Sequence, residues 1–227
     1  MIRAMVSLVF VSLLGAATFA QDKSVKPGIN KSFENAKVPE FVERFEKEGR
    51  DVYDNRKKIV DACEIKPGTI LADIGAGTGL FTRMFSPLVG PEGTVYAVDI
   101  TESFVRHVEE SAKQDKLENI VGVVCKADSA ELPPASIDVA FICDTYHHFE
   151  YPQKTMRSIH RALKPGGQVI LIDFRRIEGE STEWTLDHVR AGQEVFTREV
   201  VSAGFRQIDE KQDLLQESYF VRFQKVD

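Results

Sequence analysis

The stretch Ile70-Leu71-Ala72-Asp73-Ile74-Gly75-Ala76-Gly77-Thr78-Gly79-Leu80 constrains this chain more than any other. A near-continuous apolar run, as expected of a strand buried on both faces, leads into glycines at alternate positions and then into a helical pattern. Glycine takes positive φ without strain and lets the backbone approach a ligand closely. In open α/β sheets, ligands bind at the carboxyl ends of the strands. The spacing separates two ligand classes. A dinucleotide fingerprint, G-x-G-x-x-G, would place its last glycine at position 80, where this chain has Leu80. Asp73, at the strand end, would repel a pyrophosphate and attract the amino group of an amino-acid ligand. A second carboxylate, Asp99, ends the next strand candidate, 26 residues after Asp73. There it can accept both hydroxyls of an unmodified ribose.

The rest of the chain repeats this alternation. Strand candidates are Thr69–Ile74, Thr94–Asp99, Ile120–Val124, Ile137–Cys143 and Gln168–Phe174, with helix candidates near Leu80–Ser86, Ser103–Lys116 and Pro152–Leu163. Alternating strand and helix predicts a parallel sheet with right-handed crossovers. A helix over about Thr197–Ala203 precedes Phe205–Glu210 and Ser218–Gln224, which read as a terminal hairpin. Residues 39–64 carry a helical pattern that Gly49 divides in two. A length of 227 residues fits one domain.

Residues 1–20 read as a separate object. Arg3, an apolar run from Ala4 to Ala20 and the ending Ala17-Thr18-Phe19-Ala20 have the form of a secretory signal peptide, with cleavage expected after Ala20. The expected location is therefore exported, periplasmic or extracellular, the alternative being a domain anchored to the membrane by residues 1–20. Residues 21–38, punctuated by Pro27-Gly28, read as a linker, and 39–227 as the folded domain. The net charge of −6 gives no reason to expect a nucleic-acid partner. Three scattered cysteines, Cys63, Cys125 and Cys143, suit neither a disulfide framework nor a four-ligand zinc site. They read as small core residues.

Taken together, Asp73-x-Gly75-x-Gly77-x-Gly79, Asp99, Lys126-Ala127-Asp128-Ser129-Ala130 and Leu163-Lys164-Pro165-Gly166-Gly167 resemble the ordered motifs of class I S-adenosylmethionine-dependent methyltransferases. The resemblance spans about residues 50–224. It implies a Rossmann-like α/β fold: a seven-stranded sheet of order 3-2-1-4-5-7-6, strand 7 antiparallel, with helices on both faces. It also implies S-adenosyl-L-methionine as cofactor. Carried onto this chain, it gives Asp73, Gly75, Ala76, Gly77, Asp99, Ile100, Asp128 and Ser129 as cofactor contacts. Asp99 would take the ribose, Ile100 one adenine face and Asp128 the adenine amino group. The Lys-Pro-Gly-Gly run would be a turn before the fifth strand. In related enzymes the N-terminal element lids the cofactor, so Tyr53 or Arg56 is expected at its methionine carboxylate. The competing reading of that element is a solvated helix start with Asp54 as cap.

In this fold the end of the fourth strand faces the transferred methyl. Here it reads Cys143-Asp144-Thr145-Tyr146-His147-His148-Phe149, making Asp144, Tyr146, His147 and His148 the candidate catalytic residues. A histidine there can act as general base or simply shape the loop. No metal is expected, because adjacent histidines rarely chelate one ion together. The long excursion Arg175–Gln193 supplies Trp184, His188 and Arg190 as substrate-side candidates. The expected activity is methyl transfer to a small-molecule or lipid-like acceptor by direct displacement. Parts of the chain are similar to quinone- and sterol-type methyltransferases. Two other classes remain open: an exported non-catalytic binding module that keeps the fold, and an NAD-dependent oxidoreductase, which the glycine spacing disfavours.

Overall fold

The computed structural model describes residues 21 and 23–227, so the expected signal peptide, residues 1–20, lies outside the described residues. Seven strands form one sheet: β1 (Ile70–Ile74), β2 (Thr94–Asp99), β3 (Ile120–Val124), β4 (Ile137–Cys143), β5 (Leu163–Phe174), β6 (Phe205–Lys211) and β7 (Ser218–Lys225). Their order is β3-β2-β1-β4-β5-β7-β6, as expected. The first five are parallel, and β7 runs antiparallel to both β5 and β6. Ile74 lies beside Val98 on one side and Ile142 on the other, so β1, β2 and β4 end level with one another. The loops that follow them open on one edge of the sheet, where the site is built.

Among the described residues, eight α-helices surround the sheet: α1 (Val38–Phe45), α2 (Asp51–Asp54), α3 (Arg56–Cys63), α4 (Leu80–Val89), α5 (Glu102–Gln114), α6 (Pro152–Ala162), α7 (Glu183–His188) and α8 (Gln193–Ser202). The two-residue period of the strands sorts their side chains between two cores. Ala72, Ile74, Ala140, Ile142, Val169 and Leu171 pack with Met156 and Ile159 of α6 and Phe196 and Val200 of α8. Leu71, Phe141, Ile170 and Ile172 pack on the other face with Ile59 of α3 and Phe81 and Phe85 of α4. The central strands are thus buried on both faces, which is why they read as unbroken apolar runs. Arg222 enters the sheet from β7 at little cost because its guanidinium is satisfied. It donates to Gln168 at 2.9 Å and to the carbonyls of Ala62 and Cys63 at the end of α3, the helix end that favours a cation.

Three local expectations are corrected. The 39–64 pattern breaks at Asn55 as well as around Gly49, giving three helices instead of two. The Asp54 carboxylate accepts the Gly49 N–H at 3.0 Å, fastening the first break. Lys164-Pro165-Gly166-Gly167 lies within β5, whose register with β4 shifts between Ile137 and Val139. It is an irregularity in a paired strand, with Gly166 at φ 74°, and not a turn before it. Finally, the stretch expected as a linker lies against the loop after β4. Val25 N–H donates to the Glu150 carbonyl at 2.9 Å, and Phe33 sits against Phe41, Phe104 and His148.

Candidate functional site

The glycine loop is held open by its own backbone. Gly75, Gly77 and Gly79 take φ of 75°, 55° and 81°, the left-handed region that a Cβ disfavours. A Cβ on Gly75 would stand 2.1 Å from Thr145 Cγ2, so this residue is also required by close packing against the loop after β4. Gly77 has room, its nearest would-be neighbour being the Phe45 ring at 3.5 Å. Asp99 accepts the Gly77 N–H at 2.9 Å and the Thr101 N–H at 2.8 Å, tying the ends of β1 and β2 together. Asp73 is buried and accepts the Thr82 hydroxyl at 2.6 Å. Burial pushes its carboxyl up to about 7, opposed by that hydrogen bond. Burial also raises Asp99, with the two amide hydrogen bonds acting the other way.

These groups border a cavity of about 1110 Å³, open mouth included. Asp73, Gly75, Ala76, Gly77, Asp99, Ile100 and Ser129 of the expected cofactor set all line it. Ile100 is an exposed apolar shelf on its wall. Asp128 does not line it: its carboxylate lies 3.7 Å from the Lys154 ammonium instead. Tyr53 and Arg56 are also outside the lining and occupy one another. The Arg56 guanidinium lies over the Tyr53 ring, 4.1 Å from its centroid, and donates to the Tyr53 carbonyl at 2.6 Å.

The N-terminal element contributes different residues. Arg50 lines the cavity and forms a 2.5 Å ion pair with Asp144. Asp144 sits at φ 49° immediately after β4 and is nearly buried. Burial raises its carboxyl, with Arg50 the main opposing influence. Asn30, Phe33 and Phe45 form the wall beside Arg50, so the segment read as a linker is part of the site. The end of α1 is locked to the glycine loop through Glu46, which accepts the Thr78 hydroxyl at 2.9 Å and pairs with Arg83 at 2.8 Å. Sequence reading missed Arg50 because several arginines and a tyrosine crowd residues 44–56, and only the breaks between helices decide which one turns inward. Cys125 and Cys143, expected in the core, line the cavity as free thiols. Burial pushes Cys125 up to about 12, with Asp99 adding to it.

The candidate catalytic residues divide. Asp144 and His148 line the cavity; Tyr146 and His147 do not. Tyr146 is a core residue, fully buried against Phe149 and Phe196. His147 is fixed by Asp173 from β5, whose carboxylate accepts its backbone N–H at 3.0 Å and bonds its Nδ1 at 2.8 Å. Of the substrate-side candidates, Arg190 is structural. It pairs with Glu199 at 2.6 Å and lies over the Phe196 ring. Trp184 is exposed and stacks on His188 at 4.6 Å, and His188 Nε2 lies 3.3 Å from His148 Nε2. His147 and His148 share the 3-10 turn Tyr146–His148, their ring centroids are 4.3 Å apart, and His188 joins them from α7. Burial first, then neighbouring charges, lowers His148 to about 2 and His188 to about 4.

Comparison with known proteins places this geometry. Residues 72–171, from β1 into β5, match a family model described as a methyltransferase domain. The chain is 30% identical over 128 residues to the ubiquinone/menaquinone biosynthesis C-methyltransferase UbiE of Hydrogenovibrio crunogenus, a match covering 54% of this chain and 48% of that protein. The chain thus spans about half the length of this curated relative. Among solved structures, it is similar to a SAM-dependent methyltransferase from Aquifex aeolicus at a TM-score of 0.74 and 23% identity, covering 83% of this chain and 98% of that one. It is also similar to the [4+2]-cyclase SpnF at a TM-score of 0.65 and 17% identity, covering 80% and 85%. These two likenesses show the fold.

Proposed function

With a methyltransferase domain carried on the class I fold as the premise, we propose that this protein is an S-adenosylmethionine-dependent methyltransferase acting on a small-molecule or lipid-like acceptor. One observation carries the reading. Asp73, Asp99 and the positive-φ glycines converge on one cavity at the level ends of β1, β2 and β4. The donor set suits the cofactor. A buried carboxylate at the end of β1 matches an ammonium, one at the end of β2 matches a ribose diol, and the exposed Ile100 matches a flat base. The bound cofactor supplies a methyl group on an electrophilic sulfonium, open to in-line displacement.

The chain's own residues do the rest by positioning. Phe33, Phe45, Phe104 and Phe149 give the cavity a largely apolar lining. They also support an acceptor with an apolar portion. The Arg50–Asp144 pair holds the loop after β4 beside Gly75, and its carboxylate is committed to the guanidinium. His148 brings an imidazole to the cavity wall beside the acceptor's place. The likeness to C-methyltransferases supports a small molecule, and the acidic net charge argues against nucleic acid.

Calorimetric titration of the full chain tests the reading with S-adenosylmethionine, S-adenosylhomocysteine and NAD. Saturable binding of the first two, lost in Asp99→Ala, supports it. A folded chain that binds neither would move the weight to a non-catalytic module, and binding of NAD alone to an oxidoreductase. Export is a separate part of the proposal, supported by the pattern of residues 1–20. Fractionation of cells producing the full chain tests it. Protein found only in the cytosol, at full mass, would overturn it.

A further inference from the structure

Beside the cavity, three imidazoles meet that the methyltransferase reading does not use as a group. His147, His148 and His188 each offer a ring nitrogen, and these atoms lie within 4.8 Å of one another. We propose that they form a three-histidine site for a divalent transition-metal ion, zinc in the first instance, with a further coordination position left for water or a donor atom of the acceptor.

The distances fit. Imidazole nitrogens bind zinc at about 2.0–2.1 Å, so two ligands at tetrahedral positions stand roughly 3.3–3.4 Å apart. His148 Nε2 and His188 Nε2 are 3.3 Å apart. The third ligand is already oriented. The 2.8 Å bond from His147 Nδ1 to the fully buried Asp173 fixes the tautomer that carries its proton on Nδ1 and leaves Nε2 to ligate. A carboxylate behind a ligating histidine is the usual supporting arrangement at such sites, and it also brings a negative charge near the ion. Nε2 of His147 has no hydrogen-bond partner among the described residues. A plain hydrogen-bonded histidine pair would account for His148 and His188 but not for the convergence of this third ring.

The rings are also clamped. Trp184 stacks on His188 at an interplanar angle of 19°, Phe33 meets His148 edge-on at 5.2 Å, and Phe174 meets His147 at 5.6 Å. Three nitrogen ligands suit zinc, cobalt, nickel or copper and not magnesium or calcium, which prefer oxygen. Because His148 also lines the cavity, the ion would sit at its edge. A role in holding the acceptor rests on the methyltransferase reading; binding of the metal does not.

The test uses the untagged full chain, stripped with chelator and titrated with zinc chloride against a chromophoric chelator, without cofactor. One equivalent is expected, with cobalt chloride giving the visible absorption of a low-coordinate site and magnesium chloride giving no competition. His188→Ala and His148→Ala should each weaken zinc at least about tenfold, and Asp173→Asn about 10–100-fold. His107→Ala, on α5 and away from the cluster, should leave it unchanged. His188 is only partly buried, so His188→Ala decides the matter if the other variants fail to fold, as checked by circular dichroism. No zinc uptake by the folded chain, or uptake unchanged in His188→Ala, would overturn the site. Because cofactor is absent throughout, either result leaves the titration with S-adenosylhomocysteine independent.

Discussion

The loop after β1 and the loop after β4 face each other across one cavity, yet they are built on opposite principles. The first is nearly all backbone: glycines at positive φ, with Asp99 accepting two amide N–H groups. The second is all side chains: Asp144 paired to Arg50, His147 to Asp173, and His148 against His188. A backbone site depends on what is absent, the Cβ atoms. A side-chain site depends on partners recruited from far along the chain. The two should therefore fail differently.

The largest effect is expected where Gly75 meets Thr145. Gly75→Ala puts a Cβ 2.1 Å from Thr145 Cγ2 in a backbone conformation that alanine disfavours. We expect loss of cofactor binding and destabilisation of a few kcal/mol, read by titration and denaturant melting. Thr145→Gly in the same chain should restore part of the stability, and no restoration would show that the contact is not the cause. Gly77→Ala meets only ordinary contact with Phe45. It should cost about 1 kcal/mol from φ alone.

Breaking the side-chain loop comes next. Arg50→Ala leaves Asp144 nearly buried without its partner. Removing one partner of a buried pair costs about 3–5 kcal/mol, and the partial exposure of Arg50 brings the expectation down to roughly 2. Arg50→Ala with Asp144→Asn should recover most of that loss. A double-mutant cycle showing no coupling would mean that the pair does not hold the loop.

How much of each region the sequence disclosed follows from the same difference. The strand order, the glycine loop and the Asp99 position were legible because they depend on local patterns: apolar runs, alternate glycines and an acid at a strand end. Arg50, Phe33 and the convergence of His188 with His147 and His148 were not. Each depends on where a helix breaks or on how a 40-residue separation closes in space. Arg190 shows the converse error. An arginine in a long loop invites a functional reading, but here its charge is used up by Glu199 beneath an aromatic core.

A pH experiment sharpens the comparison further. Asp73 has its carboxyl raised to about 7 in the folded chain, against about 3.9 unfolded. Between those values the folded chain binds the extra proton, so stability falls as pH rises from about 4 to 7. For one such group the slope approaches about 1.4 kcal/mol per pH unit. Without cofactor, the melting temperature of Asp73→Asn relative to the parent chain should thus rise between pH 5.5 and 7.5, and a constant difference would show that Asp73 is not the titrating group. A ligand ammonium would reverse the preference, so binding of S-adenosylhomocysteine should strengthen as pH rises from 6 to 8. A flat binding profile would separate Asp73 from the ligand. His148 and His188 act the other way on stability, because burial lowers both in the folded chain while unfolded imidazoles bind protons below about 6.5; the comparison with Asp73→Asn isolates the carboxylate from them.

The smallest expected effect tests a residue that the family motif promotes and the structure sets aside. Asp128 matches the position expected to receive the adenine amino group, but it lies outside the cavity lining and near Lys154. Asp99 lines the cavity with both carboxylate oxygens fixed by backbone amides. A hydrogen bond to a charged group contributes about 1.5–3 kcal/mol when it is made, and nothing when it is not. Asp99→Asn should therefore weaken S-adenosylhomocysteine roughly 10–100-fold, while Asp128→Asn should change it less than about threefold. If Asp128→Asn instead matched Asp99→Asn, the loop after β3 would have to rearrange on binding. The cavity wall at Lys126–Ala130 would then be formed by the ligand and not before it.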